Sequence, residues 1–279
     1  MKLGFHVSIS GSIDLSLDRA TRLGCTTFQI FTRNPRAWRT KPLQLREIKS
    51  FRRKHRESKI NPVFSHMPYI QNLASPKDDI FEKSVDALIE EIDRCNKLGI
   101  RYIVTHIGSH TGSGVVKGKN RLIQALGRAA DEEGPMILLE NSSGSGDQMG
   151  SKLGELAEIA KAIGGTRIGI SFDTCHAFTA GYDIASKEGL NETMREITRT
   201  VGFSRLKLVH LNDSLGELGS RIDHHEHIGL GKIGQDGFRN ILASQLIKRP
   251  LIMETPVDDK RSDIDNMEKV YELAGINRQ

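Results

Sequence analysis

IGISFDTCH, residues 168–176, is an apolar, β-branched run that stops on two metal-ligating side chains, Asp173 and His176. The same layout recurs in both directions along the chain. NPVFSHMP carries His66, RYIVTHIGSH carries His106, MILLEN ends near Glu140, LKLVHLND carries His210 and LIMETP carries Glu254, while RIDHHEH adds Asp223 with His225. A run that ends on His, Asp or Glu this often suggests one shared site at one end of a sheet. No single helix or loop gathers residues scattered from position 66 to 254, but a parallel barrel does.

Strand-like runs are expected near 3–7, 27–31, 62–66, 102–106, 136–140, 168–173, 206–211 and 250–254. Amphipathic stretches lie between them, such as FEKSVDALIEEIDRCNKLG, with Val85, Leu88, Ile89, Ile92 and Cys95 on one face. Gly24, Gly99 and Gly164 stand where left-handed helix caps are expected. Strand and helix alternating eight times predict an α/β fold, a (β/α)₈ TIM barrel formed as one domain over residues 1–279. Active sites of such barrels lie at the C-terminal ends of the strands, where the nine side chains fall. Charged groups at interior barrel positions need partners, and nine of them together point to a site rather than to scattered core hydrogen bonds.

Hydrophobic residues make up 37% of the 279 and charged residues 27%, a balance that fits a soluble globular protein. No apolar stretch approaches the ~18 residues of a membrane span, so no membrane partner is expected. The start, MKLGFHVSISGS, reads as a first strand rather than a signal peptide. Cys25, Cys95 and Cys175 are odd in number and far apart, which favours reduced thiols and a cytoplasmic setting. The net charge of +5 is uneven: Arg33 to Arg56 holds ten Lys or Arg and one acid, Glu47, leaving 30 bases and 34 acids elsewhere. Leu45, Ile48 and Phe51 have helical spacing, so Arg46, Lys49, Arg52 and Arg53 read as a solvated outer face. Arg33, Arg36, Arg39 and Lys41 precede that helix in a loop, where contact with a nucleic acid is the better reading.

His, Asp and Glu without Cys favour zinc or manganese. Nine ligands exceed what one ion needs, and a carboxylate shared between two ions suits hydrolysis of a phosphodiester. Glycine-rich ENSSGSG and GLGKIG lack the spacing of a phosphate-binding P-loop and read as loops at the barrel mouth. Metal ligands, a basic loop and no nucleotide signature together indicate a metallonuclease.

FTRNPRAW, HMPYIQNLASP, THIGSH, ENSSGSG, FDTCHAFTAGYD, HLNDS, DHHEHIGLGKIG and METP give the chain an end-to-end resemblance to the endonuclease IV family, the apurinic/apyrimidinic (AP) endonucleases of base-excision repair. The resemblance implies a xylose-isomerase-like barrel with three zinc ions. By it, His66, His106 and Glu140 hold the first ion. Glu140 bridges to a second, held also by Asp173, His210 and Glu254, and His176, Asp223 and His225 hold the third. It further implies cleavage of duplex DNA 5′ to an abasic site, leaving a 3′-hydroxyl and a 5′-deoxyribose phosphate, with action on 3′-blocked ends. Glu140 is the expected catalytic carboxylate, assisted by Glu254. Arg36, Tyr69 and Ile70 match the family's minor-groove wedges, and Asn72 is a weaker candidate for DNA contact. The protein is expected to act as a monomer.

Other readings stay open at this stage. His6 is either an outer support for the site or a hydrogen-bonded core residue, and His110 either orients a ligand or meets phosphate. His224 and His227 compete locally with the Asp223–His225 pair. Cys175 reads as a packing residue, His55 as solvated, and Trp38 as core or contact. The alternative function is a metal-dependent sugar isomerase or epimerase on the same barrel, using Glu140, Asp173, His210 and Glu254 alone.

Overall fold

The computed structural model describes residues 1–129, 134–164 and 167–277. Eight short parallel strands form its sheet: β1 (Leu3–Phe5), β2 (Phe28–Ile30), β3 (Val63–His66), β4 (Tyr102–His106), β5 (Met136–Glu140), β6 (Ile168–Asp173), β7 (Leu206–His210) and, last in the chain, β10 (Leu251–Met253). A two-stranded antiparallel hairpin, β8 (Asp213–Ser214) and β9 (His225–Glu226), stands apart between β7 and β10. The helices are α1 (Leu15–Leu23), α2 (Leu45–Glu57), α3 (Asp78–Leu98), α4 (Val115–Ala129), α5 (Leu153–Ile163), α6 (Thr174–Ala180), α7 (Lys187–Arg199), α8 (Gly234–Ala243) and α9 (Asp263–Ala274). Around the sheet the order is β1-β10-β7-β6-β5-β4-β3-β2. A parallel bridge from His6 to Gln29 joins β1 to β2 and closes the ring. Closure depends on Gly4, because a Cβ there would lie 1.7 Å from the Thr27 carbonyl oxygen.

The two-residue period of a strand explains how an apolar barrel opens onto a polar mouth. Phe64, Val104, Leu138, Leu208 and Ile252 are fully buried and pack together as one cluster inside the ring. Two residues further along each strand come His66, His106, Glu140, His210 and Glu254, which therefore point into the same interior one layer higher. Gly169 makes room on β6, since a Cβ there would lie 2.7 Å from Leu138 Cδ2. Outward residues of the same strands, among them Ile103, Ile137, Leu139, Val209 and Met253, join the larger core between sheet and helices. At roughly 1.5–3 kcal/mol per buried aliphatic or aromatic side chain, this two-sided burial is the main force holding the ring.

Several helix details differ from the expectations. Leu45 is 72% exposed and Ile89 is 45% exposed, so the buried faces of α2 and α3 are narrower than their apolar patterns suggest. Leu45 is the first residue of its helix; Phe51 and Ile48 carry the packing. His55 is half-buried with its ring 6.1 Å from Phe51, rather than solvated. Gly24 and Gly99 take left-handed cap conformations, whereas Gly164 has φ 71° with an extended ψ of −177°. Among the described residues no helix is long and apolar enough to cross a membrane.

Candidate metal centre at the barrel mouth

Strand register sets the ligands side by side. His106 pairs with Glu140 across β4 and β5, and Asp173 pairs with His210 across β6 and β7. One further residue, His176, comes from a helix. Asp173 caps α6, its Oδ1 accepting from the His176 backbone N–H at 2.7 Å, and this tight turn swings His176 back over the mouth. The β8–β9 hairpin supplies Asp223 and His225. Asp213 anchors the segment that follows by accepting from the backbone N–H of Gly229, Gly231 and Ile233 at 2.9–3.0 Å.

All nine predicted side chains meet there. His66, His106 and Glu140 form one group; Glu140, Asp173, His210 and Glu254 form a second; His176, Asp223 and His225 form a third. Within each group the ligand atoms lie within 4.8 Å of one another. Glu140 belongs to two groups and is only 1% exposed. Asp173, Cys175 and His225 make a further possible group. The Cys175 thiol is held protonated, however: burial, and then the Asp173 charge, push it far above the usual thiol range.

Four carboxylates converge here, and among the described residues none of them pairs with a lysine or arginine. Their neighbours are imidazoles whose orientation is fixed from behind. His66 Nδ1 faces the Met67 carbonyl at 2.6 Å, His176 Nδ1 the Asn141 carbonyl at 2.9 Å and His225 Nδ1 the Glu254 carbonyl at 3.1 Å. A carbonyl only accepts, so each ring carries a proton on Nδ1 and turns Nε2 inward. The inward His225 Nε2 is buried without a hydrogen-bond partner. A carboxylate-rich cluster whose described partners include imidazoles but no lysine or arginine, with imidazole nitrogens turned inward, fits divalent cations. Burial raises the Glu140 carboxyl, but the His210 and His106 imidazoles outweigh it and hold it well below the usual range. Burial likewise lowers His210, while Glu254 and Glu140 pull it up to about 9.

Three amides were not singled out from the sequence. Gln29 donates to Glu254 Oε1 at 2.8 Å and accepts from His210 Nε2 at 2.9 Å. Asn212 donates to Asp173 Oδ2 at 2.7 Å and accepts from the Glu254 backbone N–H at 2.8 Å. Asn141 accepts from the Asp173 backbone N–H at 2.7 Å. The available signal was a polar residue inside or next to a strand end, as in TTFQIF and HLND. His6 lies behind the cluster, its Nδ1 3.0 Å from Gln29 and 3.4 Å from Glu254. His227 is locked between Asp258 and Asn266 at 2.8 and 2.9 Å, and His224 is exposed, which leaves Asp223 and His225 as the hairpin's contribution. His110 stays outside the groups, 3.9 Å from Asp147.

A cleft of ≈ 340 Å³ lies over the cluster, lined by His66, His106, Glu140, Glu254 and Tyr69 among others. A second cleft of ≈ 320 Å³ adjoins it, lined by Tyr69, Ile70, Asn72, His106 and Asp223. Tyr69 is 54% exposed and its hydroxyl accepts from Arg36 Nε at 3.4 Å, so these two stand together at the rim. Phe31 backs Tyr69 edge-on at 6.0 Å and also touches the His66 ring, at 5.7 Å. Ile70 is half-buried beside them. Asn72 uses its amide to tie two loops, accepting from Ser109 N–H at 2.9 Å and donating to the Ser109 carbonyl at 2.8 Å. Arg39 and Lys41 are exposed, and Trp38 is half-buried.

Arg33 corrects the sequence reading. It is 3% exposed, with Nη1 2.9 Å from Glu90 and Nε 3.7 Å from Glu91, and so is not offered to a nucleic acid. It belongs to a buried clamp. Thr32 donates to Glu91 at 2.8 Å, Arg94 donates to Thr32 and, at 3.0 Å, to the Lys41 carbonyl, and Thr40 donates to Glu90 at 2.6 Å. Both ends of the loop that displays Arg36 are thereby fastened to α3. Ser65, next to His66, donates to the same Glu91.

Residues 17–274 match the family described as xylose isomerase-like TIM barrel. The chain is 51% identical over 278 residues to a probable endonuclease 4 of Methanoculleus marisnigri, covering 98% of this chain and 99% of that one. The chain belongs to the endonuclease IV family. The crystal structure of endonuclease IV from Thermus thermophilus superposes with a TM-score of 0.87 at 36% identity, covering 99% of both chains. Family membership makes the chain an endodeoxyribonuclease, a hydrolase, and the family's dependence on metal agrees with the three groups. A D-tagatose 3-epimerase-like protein also superposes, with a TM-score of 0.73 at 22% identity over 99% and 98% of the two chains, which shows a shared barrel only.

Proposed function

We propose that this endonuclease IV family member hydrolyses the phosphodiester on the 5′ side of an abasic site in duplex DNA, leaving a 3′-hydroxyl and a 5′-deoxyribose phosphate. The observation that carries this reading is the meeting of nine ligand-type side chains in three groups, two of them sharing Glu140, beneath a rim occupied by Arg36 and Tyr69. His66, His106 and Glu140 would hold one zinc ion, Glu140, Asp173, His210 and Glu254 a second, and His176, Asp223 and His225 a third. When bound, zinc supplies Lewis acidity at the phosphoryl oxygens and makes water a stronger acid near neutral pH.

The chain's own side chains do the rest. Glu140 and Glu254 flank the floor of the cleft, where their carboxylates can orient an attacking water and accept its proton. Gln29, Asn212 and Asn141 keep those carboxylates and the imidazoles in one arrangement, so little reorganisation accompanies reaction. At the rim Arg36, Tyr69 and Ile70 would enter the gap left by the missing base. An abasic site lacks stacking there, so bending the duplex and extruding the sugar costs less than at an intact pair. Asn72 would act through the loop it ties rather than mainly by direct contact. A blocked 3′ end presents the same phosphodiester without a following strand, and the same cleft would accept it.

With all nine ligands supplied by one chain, the single domain would work as a monomer. The burial of Cys25, Cys95 and Cys175, far apart in the sequence, supports a reducing, cytoplasmic setting. A single-metal sugar isomerase would use the Glu140, Asp173, His210 and Glu254 group and leave the His176, Asp223 and His225 group without a purpose. The test is end-group analysis of a duplex carrying one abasic site after incubation with the zinc-loaded protein. A nick with a 3′-hydroxyl and a 5′-deoxyribose phosphate is expected. A 3′-unsaturated aldehyde, or an intact strand, would overturn the reading.

A further inference from the structure

We propose that the end of the barrel opposite the metal cluster carries a second binding site for nucleic acid, a basic cleft that takes the phosphate backbone of another duplex segment. Two clefts of ≈ 740 and ≈ 450 Å³ run together there, sharing His55, Asn61 and Gly99 in their walls. Val63 and Tyr102, the first residues of β3 and β4, line the smaller one. Those strands end at His66 and His106, so this cleft and the catalytic mouth occupy opposite ends of the barrel.

Cations line both clefts. Lys49, Arg52, Arg53 and Arg56 come from α2, Lys59 from the segment before β3 and Arg101 from the residue before β4, with Lys2 adjoining from the start of the chain. Among the described residues neither cleft has an aspartate or glutamate in its wall. Arg53 pairs with Glu57 and Lys2 donates to the Asn61 carbonyl, but among the described residues Lys49, Arg52, Arg56, Lys59 and Arg101 form no salt bridge. Some surface cations elsewhere are matched, Lys54 with Asp14, Lys97 with Asp93, Arg121 with Asp78 and Arg128 with Glu82 among them, and the unmatched ones in these clefts are set apart by being gathered around one concavity. The C-terminal dipole of α2 accounts for a basic residue in its last turn, such as Arg56. It does not account for Lys49, Arg52, Lys59 and Arg101, which gather from different segments around one concavity.

Like charges held together in a concave wall repel one another and focus a positive potential, which a polyanion relieves. One phosphate would need two or three of these groups. Cations spread over two joined clefts suit a run of phosphates, each neutralised with release of counterions. The choice of DNA as that polyanion rests on the endonuclease reading above. Because the mouth lies at the other end of the barrel, the segment bound here is a second one, and the enzyme would stay tethered to DNA while its mouth is free.

The experiment uses the full-length, zinc-loaded protein and a short lesion-free duplex, titrated across a salt series. A variant carrying Lys49→Ala, Arg52→Ala, Lys59→Ala and Arg101→Ala is compared with the parent chain, and a second keeps the charge through Lys49→Arg, Arg52→Lys, Lys59→Arg and Arg101→Lys. The slope of log affinity against log salt should fall by about 2–4 in the alanine variant, each lost phosphate contact contributing roughly 0.9. The charge-keeping variant should retain the parent slope. Stoichiometry at low salt should drop from two duplexes per chain to one, with nicking of a short abasic duplex unchanged. An unaltered slope and stoichiometry in the alanine variant would overturn the proposal. So would equal loss in both variants, or loss of inorganic tripolyphosphate binding alone with the DNA slope intact. If neither parent nor variant nicks abasic DNA, the catalytic reading fails while the salt slopes still decide the cleft.

Discussion

Gln29 Oε1 lies 2.9 Å from His210 Nε2, beneath the nine-residue cluster. An amide oxygen only accepts, so the His210 proton on Nε2 points at Gln29 and Nδ1 turns to Glu140, 2.8 Å away. Gln29 thereby decides which nitrogen of His210 faces Glu140. Gln29→Leu should weaken metal retention by roughly 10–100-fold, the usual effect of losing a group that orients a ligand. Competition with a graded chelator measures this; retention equal to the parent chain would remove Gln29 from the site.

Glu140 stands in two of the three groups and is the carboxylate closest to every expected role. Glu140→Gln keeps the shape and removes the charge. The turnover rate on abasic duplex should fall by roughly 10²–10⁴-fold, the span of a lost acid–base contribution. Binding of the same duplex should change little. Unchanged turnover would place the reaction on another carboxylate.

Arg36 and Tyr69 sit at the rim, away from the ligand atoms. Replacing both with Ala should weaken binding to abasic duplex while the metal content stays at the parent value. Fluorescence of a labelled duplex and elemental analysis of the same preparation read the two quantities. Loss of metal from the double variant would show that the rim supports the cluster instead of probing DNA.

Much of this architecture is legible in the sequence because the strand period is strict. An interior apolar residue followed two positions later by His or Glu, as in Phe64–His66 or Leu138–Glu140, announces both the inward face and the end of a strand. The β8–β9 hairpin is less legible, since neighbouring histidines in DHHEH offer the same chemistry and only the packing of His227 against Asp258 and Asn266 sorts them. Gln29, Asn141 and Asn212 escape a sequence reading because an amide has no ligand chemistry of its own and gains meaning from what lies across the barrel. Arg33 misleads for the opposite reason. Its sequence neighbours are basic, and its partners Glu90 and Glu91 lie more than fifty residues on, in α3.

The Arg33 clamp makes its own prediction. Glu91 is fully buried and takes hydrogen bonds from Thr32 and Ser65 beside Arg33 and Arg94. Glu91→Ala removes the buried carboxylate that faces Arg33 Nε and Arg94, leaves Glu90 as the remaining acidic partner of Arg33 and strands the Thr32 and Ser65 hydroxyls. It should lower stability by roughly 3–5 kcal/mol in urea denaturation. Because the clamp fixes the loop bearing Arg36, binding of abasic duplex should weaken in the fraction that remains folded. A variant as stable as the parent, with unaltered DNA binding, would show the clamp to be dispensable.

The convergence of nine ligands into three groups is tested most directly by counting metal in the purified, zinc-reconstituted chain by mass spectrometry. Three zinc ions per chain are predicted. One ion, or none, would contradict a three-metal nuclease centre and return the barrel to the single-metal alternative or to no metal chemistry at all.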